Sequence, residues 1–309
     1  MGMLFTRSDL DSLARSPRQA LGNTLAAGNW AVAQALWADQ RAAYFDFIAL
    51  CRRWVAALQE HILNTYGRDA LADASRLDEV IAGLLANGVT LEELAAGSET
   101  SPDAVQAALD ARDVAGVLGA FDTTTQGIRQ VHDYERDWIS ALLSWAYRQH
   151  GLEGLERALR HCSELLWMPW MLEDITHPPE QRVRDWARLL KGNFTTMQIE
   201  EDEEKFTFIQ DPCGSCARQH RDGRYEGPAA LATIKEKHPL SFMHGDVTAY
   251  RTHIAVMHFI MPIERIGAPW PAIECPFTKD EPCRLVLYKN PRRAAPEHYQ
   301  RVGMVPPQT

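Results

Sequence analysis

The sequence predicts an α+β protein that is mainly helical, and three observations carry that prediction. From Asn29 to about Arg160, apolar residues recur at three- and four-residue steps, as in Trp54, Val55, Leu58, Ile62 and Leu63, with almost no proline. After Gly192 and Asn193 the period falls to two: Phe206, Phe208 and Gln210 alternate with Thr207 and Ile209, and Asp211, Pro212 and Gly214 then turn the chain. Further on, Ala272 to Cys275 and Arg284 to Tyr288 read as paired strands around a turn of Thr278, Lys279, Asp280 and Pro282. The chain therefore divides into a helical bundle over residues 1–192 and a smaller α+β domain with an antiparallel sheet over residues 193–309.

Within the bundle, Ser101 before Pro102 is a helix start, with serine as the N-cap. Shifting the sequence by 84 residues places Trp37 on Phe121, Trp54 on Trp138, Leu58 on Leu142, Gly67 on Gly151, Leu71 on Leu155 and Arg76 on Arg160. Each copy reads as a long helix ending at a glycine and followed by a short one. His132 and Asp133 fall in a stretch whose apolar spacing already explains a buried face, so they read as satisfied core residues. Trp167, Met168, Trp170 and Met171, interrupted by Pro169, could line an apolar pocket, and we read them instead as packing one domain onto the other. Cys51 and Cys162 read as small buried hydrophobes. In the second region, His253 to Met261 reads as a helix stopped by Pro262.

Composition narrows the function. With 309 residues and 46% hydrophobic content the chain can bury a real core without disulfides. Six dispersed cysteines and no leader-like start point to a reducing cytoplasm. No apolar run approaches the roughly 20 residues a bilayer span needs, so no membrane partner is expected. A formal charge of −9, with basic residues such as Arg292 and Arg293 isolated, argues against nucleic acid. The acidic run Glu200 to Glu204 reads as a solvated loop or helix end. The helical repeat could serve as a homodimer interface.

Chemistry is concentrated in Asp211-Pro-Cys-Gly-Ser-Cys-Ala-Arg-Gln-His220. Cys213 and Cys216 are spaced so that both sulfurs can reach one ion, and His220 lies four residues further on. This is half of a zinc or iron site. His244, His253, His258, Cys275 and Cys283 are the remaining candidates. Three chemical readings stay open: metal ligation by Cys213, Cys216, His220 and His253; a redox dithiol; or Cys213 as nucleophile with His253 as base and Glu264 orienting it. A turn that merely contains two cysteines is the fourth. On an α-helix His253 and His258 would stand about 500° apart, or about 140° after a full turn, and so make poor co-ligands. Cys275 and Cys283 can face each other across the hairpin, where reduced thiols suit the compartment. Arg218 or Arg224 would anchor a substrate carboxylate, since guanidinium binds carboxylates bidentately.

The segment Asp211 to Arg218, His253 with Phe259-Ile-Met-Pro-Ile-Glu264, and Glu274-Cys-Pro to Cys283-Arg-Leu-Val-Leu-Tyr288 resembles bacterial proteins distantly similar to L-2-amino-thiazoline-4-carboxylic acid hydrolases. The resemblance covers about the last third of the chain. It implies a cytoplasmic hydrolase that opens a small carbon–nitrogen ring, with Cys213 and His253 in the matching positions. The chain departs from that pattern at Cys216, where glycine is expected, and at Arg251 and Ile254, where cysteines would flank the histidine. A hydrolase of a small cyclic or amide-like substrate is the resulting expectation. The rival is a small-molecule sensor or accessory protein with a structural zinc. A closed site of four protein ligands means structure, whereas three ligands plus water permit hydrolysis.

Overall fold

The computed structural model describes residues 2–75, 103–276 and 281–307. The Ser101–Pro102 helix start, Arg76 and the turn residues Thr278, Lys279 and Asp280 lie outside the described residues. Helices α1 (Arg7–Ala14), α2 (Pro17–Ala26), α3 (Trp30–Tyr66) and α4 (Arg68–Ala74) open the chain. Then come α5 (Ala104–Asp110), the long α6 (Val114–Cys162), a π-helical turn over Ser163–Trp167, α7 (Met168–Asp174) and α8 (Pro179–Gly192). The mainly helical first part therefore ends where the sequence period changes.

Helix α3 is 37 residues long and stops at Gly67, whose φ of 90° and ψ of −179° suit a residue without Cβ. Helix α6 breaks in the same way at Gly151, φ 64° and ψ −162°, and resumes beyond it. The two helices run parallel and in register. Near their starts Trp37 meets Phe121 edge-on at 5.6 Å, in the middle Arg52 bonds Glu135 at 2.8 Å, and near their ends Tyr66 stacks on His150 at 3.7 Å. Trp54, Val55, Leu58 and Ile62 are buried as their spacing predicts, while Leu63 sits on the exposed side.

The second part carries two antiparallel sheets. The larger has the order β1-β2-β6-β5, made of β1 (Met197–Glu201), β2 (Lys205–Gln210), β5 (Ala272–Glu274) and β6 (Cys283–Tyr288). The smaller pairs β3 (Thr233–Ile234) with β4 (Val247–Thr248). Short α9 (Cys216–Arg221) follows the Cys213 turn. Part of the acidic run turns out to be strand β1. Glu201 is not solvated: it accepts from the backbone of Leu4 (2.6 Å) and Phe5 (3.0 Å) and pairs with buried Lys289 at 2.7 Å. The largest cluster of buried apolar side chains draws on both parts, from Leu58 and Leu142 to Phe208 and Leu285.

Pro262 does not stop its helix. α10 (Thr252–Ile254) passes through a π-helical segment, Ala255–Ile260, into α11 (Met261–Ile266), which ends at Gly267 with φ 74°. Proline removes the bond that the carbonyl four residues earlier would receive. Here that carbonyl, of His258, accepts from Trp270 N at 2.8 Å instead. Pro169 follows the Ser163–Trp167 π turn at the same offset.

Candidate metal centre and adjoining cavity

Strand pairing assembles the cysteines. Gln210, the last residue of β2, is registered with Cys283, the first of β6, and Glu274 at the end of β5 is registered with Arg284. Three strand ends thus meet at one edge of the sheet. The turn after β2 presents Cys213 and Cys216, with sulfurs 3.8 Å apart, and the β5–β6 connection presents Cys275 and Cys283, 3.6 Å apart. Cys213, Cys216 and Cys283 are buried, their sulfurs lie within 4.8 Å of one another, and this group can hold a metal ion. All six cysteines are free and buried.

The electrostatics favour thiolate at the centre of the group. Hydrogen bonds from Cys213, Cys275 and Cys283 hold the Cys216 thiol well below its ordinary value. Donating to Cys216 pushes Cys213 up to about 12. Ala217 N donates to Cys213 Sγ at 3.3 Å, a backbone bond that stabilises charge on sulfur. Buried Arg251 donates to Pro276 O at 2.9 Å; burial opposes its charge, and the sulfurs of Cys216, Cys275 and Cys283 outweigh that penalty.

A buried polar stripe of α6 holds the Cys213–Cys216 turn. His132, Arg136, Ser140 and Ser144 recur every four residues on one face. Arg136 pairs with Asp137 (3.1 Å) and Asp133 (3.3 Å), and its Nη1 donates to the carbonyls of Gly214 (3.4 Å) and Ser215 (3.5 Å). His132 Nε2 bonds Asn193 Oδ1 at 2.9 Å, and Asn193 Nδ2 donates to Ser215 Oγ at 3.0 Å. At Gly214 a Cβ would stand 1.4 Å from the carbonyl oxygen of Asn193, so only glycine fits. His132 is the satisfied core residue its spacing indicated. The rest of the stripe was missed, although four polar residues at four-residue steps, all on the expected apolar face, are a legible signal.

Beside the sulfurs lies a cavity of about 110 Å³. All four clustered cysteines line it, together with Trp54, Trp167, Trp170, Trp186, His253 and His258. Trp167, Met168 and Met171 pack in the core with Trp170 against them, as read from the sequence, and the Trp167 and Trp170 indoles also form cavity wall. The two histidines also differ from expectation. A π turn closes on the fifth residue rather than the fourth, so residues five apart share a face. Their rings are 6.3 Å apart on the same cavity wall. His253 Nδ1 donates to Tyr250 O and His258 Nδ1 to Trp270 O. Burial lowers His253 to about 4 and His258 to about 3, so both are neutral imidazoles.

The remaining candidates lie elsewhere. Glu264 does not orient His253, because it is held by Arg160 through two bonds of 2.8 Å. Arg218 is bound to Asp133, Arg224 to Asp137 at 2.8 Å, and neither lines the cavity. His220 packs on Tyr225 with ring centroids 4.7 Å apart, and Cys283, rather than His220 or His253, joins Cys213 and Cys216. No described helix is long and apolar enough to cross a membrane. No known family model, curated protein or solved structure matches the chain.

Proposed function

We propose that the chain binds a small molecule in a cavity whose floor is a single zinc or iron ion held by Cys213, Cys216, Cys275 and Cys283. The observation that carries this reading is the convergence of two cysteine pairs from separate turns. A tetrahedral ion with metal–sulfur bonds of about 2.3 Å has sulfur–sulfur edges of about 3.8 Å. The sulfur pairs at 3.8 Å and 3.6 Å match two of the six edges, and Cys275, which stands outside the group of Cys213, Cys216 and Cys283, would move closer to complete the set. Four thiolates close the coordination shell, so the ion ties the two turns together and stabilises the cavity floor without an open position for water. Free thiols beside such a site suit a reducing compartment such as the cytoplasm.

A second reading keeps hydrolysis of a small carbon–nitrogen ring, with Cys213 as nucleophile and His253 as base. It is favoured by both residues lining one cavity, with the His253 proton fixed on Nδ1.

Elemental analysis of protein purified without a histidine tag separates the two. The metal reading expects about one zinc or iron per chain, lost in Cys213→Ser and Cys283→Ser and retained in His253→Phe. A metal-free wild type whose Cys213 is rapidly alkylated would overturn it in favour of the nucleophile.

A further inference from the structure

The cavity is lined by tryptophan, histidine, cysteine, aliphatic and neutral polar residues, and none of its described lining residues is Asp, Glu, Lys or Arg. A ligand carboxylate or phosphate would enter with no cationic side chain in the described lining to meet it and with the thiolate sulfurs of the floor repelling it, at a desolvation cost that such a site does not offset. Two histidines supply acceptors among the lining groups, and Trp186 adds an indole N–H with no hydrogen-bond partner among the described residues. With Nδ1 of His253 and of His258 donating to backbone carbonyls, the lone pair on each Nε2 is what the ring has left to offer. Asn193 and Ser215 are already bonded to His132 and to each other. Gln210 contributes one neutral amide to the lining. The walls are indoles, whose flat faces favour flat partners. A volume of about 110 Å³, beside the roughly 150 Å³ of a cavity that holds benzene, suits one small ring.

From these features we infer that the cavity selects a flat, uncharged ring molecule carrying an N–H or O–H donor, which it reads with His253 and His258, and rejects the anionic analogue. This rests on the reading of the cavity as a ligand site, and it names the ligand's chemistry.

Pyrrole, furan and pyrrole-2-carboxylate make the test, titrated calorimetrically into the full chain with its metal content measured on the same samples. Pyrrole and furan share a shape and differ in the N–H donor. Pyrrole is expected to bind, furan about tenfold more weakly for want of one hydrogen bond, and pyrrole-2-carboxylate at least tenfold more weakly. In His258→Phe or His253→Phe the gap between pyrrole and furan closes, because phenylalanine keeps the ring and removes the acceptor. Equal or tighter binding of the carboxylate overturns the inference. So does failure of all three probes to bind the wild type, or a gap that persists in both variants. Metal present without pyrrole binding sinks the ligand class alone, and pyrrole binding without metal sinks the metal reading alone.

Discussion

Arg136 is fully buried in the polar stripe, with Asp133 and Asp137 as its ion partners and the cysteine turn's carbonyls as further acceptors. Removing one member of a buried pair leaves its partner charged and unsatisfied, at a cost of about 3–5 kcal/mol. Arg136→Met is therefore expected to lower the unfolding free energy by that amount in urea; a loss under about 1 kcal/mol would contradict the role given to it. His258 gives a pH signature. Its folded pKa lies near 3, burial being the main cause and His253 adding to it, against about 6.5 when unfolded. Below pH 6.5 the unfolded chain takes up the proton first, so stability falls as pH drops from 6.5 towards 3. This residue accounts for up to about 1.4 kcal/mol per pH unit in that window and nothing above it. His258→Phe should lessen the fall of the urea midpoint between pH 6.5 and 4, leaving the share of His253, which burial lowers to about 4; an unchanged slope would place the uptake elsewhere. At this scale the sequence was partly legible. Cys213 and Cys216 announced themselves by spacing, but Glu264, Arg218 and Arg224 were assigned roles that depended on partners far along the chain, and Arg160, Asp133 and Asp137 claimed them.

At the scale of elements, two local patterns had opposite outcomes. Gly67 and Gly151 were visible as the ends of long helices, because a backbone at positive φ and extended ψ excludes side chains whatever the fold around it. Neither has any atom within 4 Å of an added Cβ, so Gly67→Ala and Gly151→Ala report the backbone alone. Each should cost about 1–3 kcal/mol by thermal or urea unfolding, and a neutral substitution would mean that the helix break is not fixed by glycine. Pro262, by contrast, misled: proline was expected to end a helix, yet a preceding π turn and the returning Trp270 amide absorb its missing donor. That rescue depends on a residue eight positions later, beyond the reach of any local pattern. It also reverses the angular argument that separated His253 from His258.

At the scale of the whole molecule, the period-two pattern of the second part correctly placed β2, β5 and β6, and the three-to-four pattern the helices. What no pattern showed was the order β1-β2-β6-β5, and it is this order that brings the turn after β2 against the β5–β6 connection. The Cys275 and Cys283 pair was legible as a hairpin pair, and the Cys213 and Cys216 pair as half a metal site. Only the pairing of Gln210 with Cys283 brings them together, with Cys283 joining Cys213 and Cys216 in one group. The helical part then supplies the polar stripe beneath that site and all four tryptophans that wall the cavity, Trp54 from α3, Trp167 from the π turn, Trp170 from α7 and Trp186 from α8. Counting the atoms bound to the metal tests this assembly most directly. X-ray absorption at the zinc or iron edge should find four sulfurs at about 2.3 Å and no nitrogen or oxygen ligand. Three sulfurs with one light atom would contradict the closed four-cysteine site and return an open, hydrolytic metal to the centre of the account.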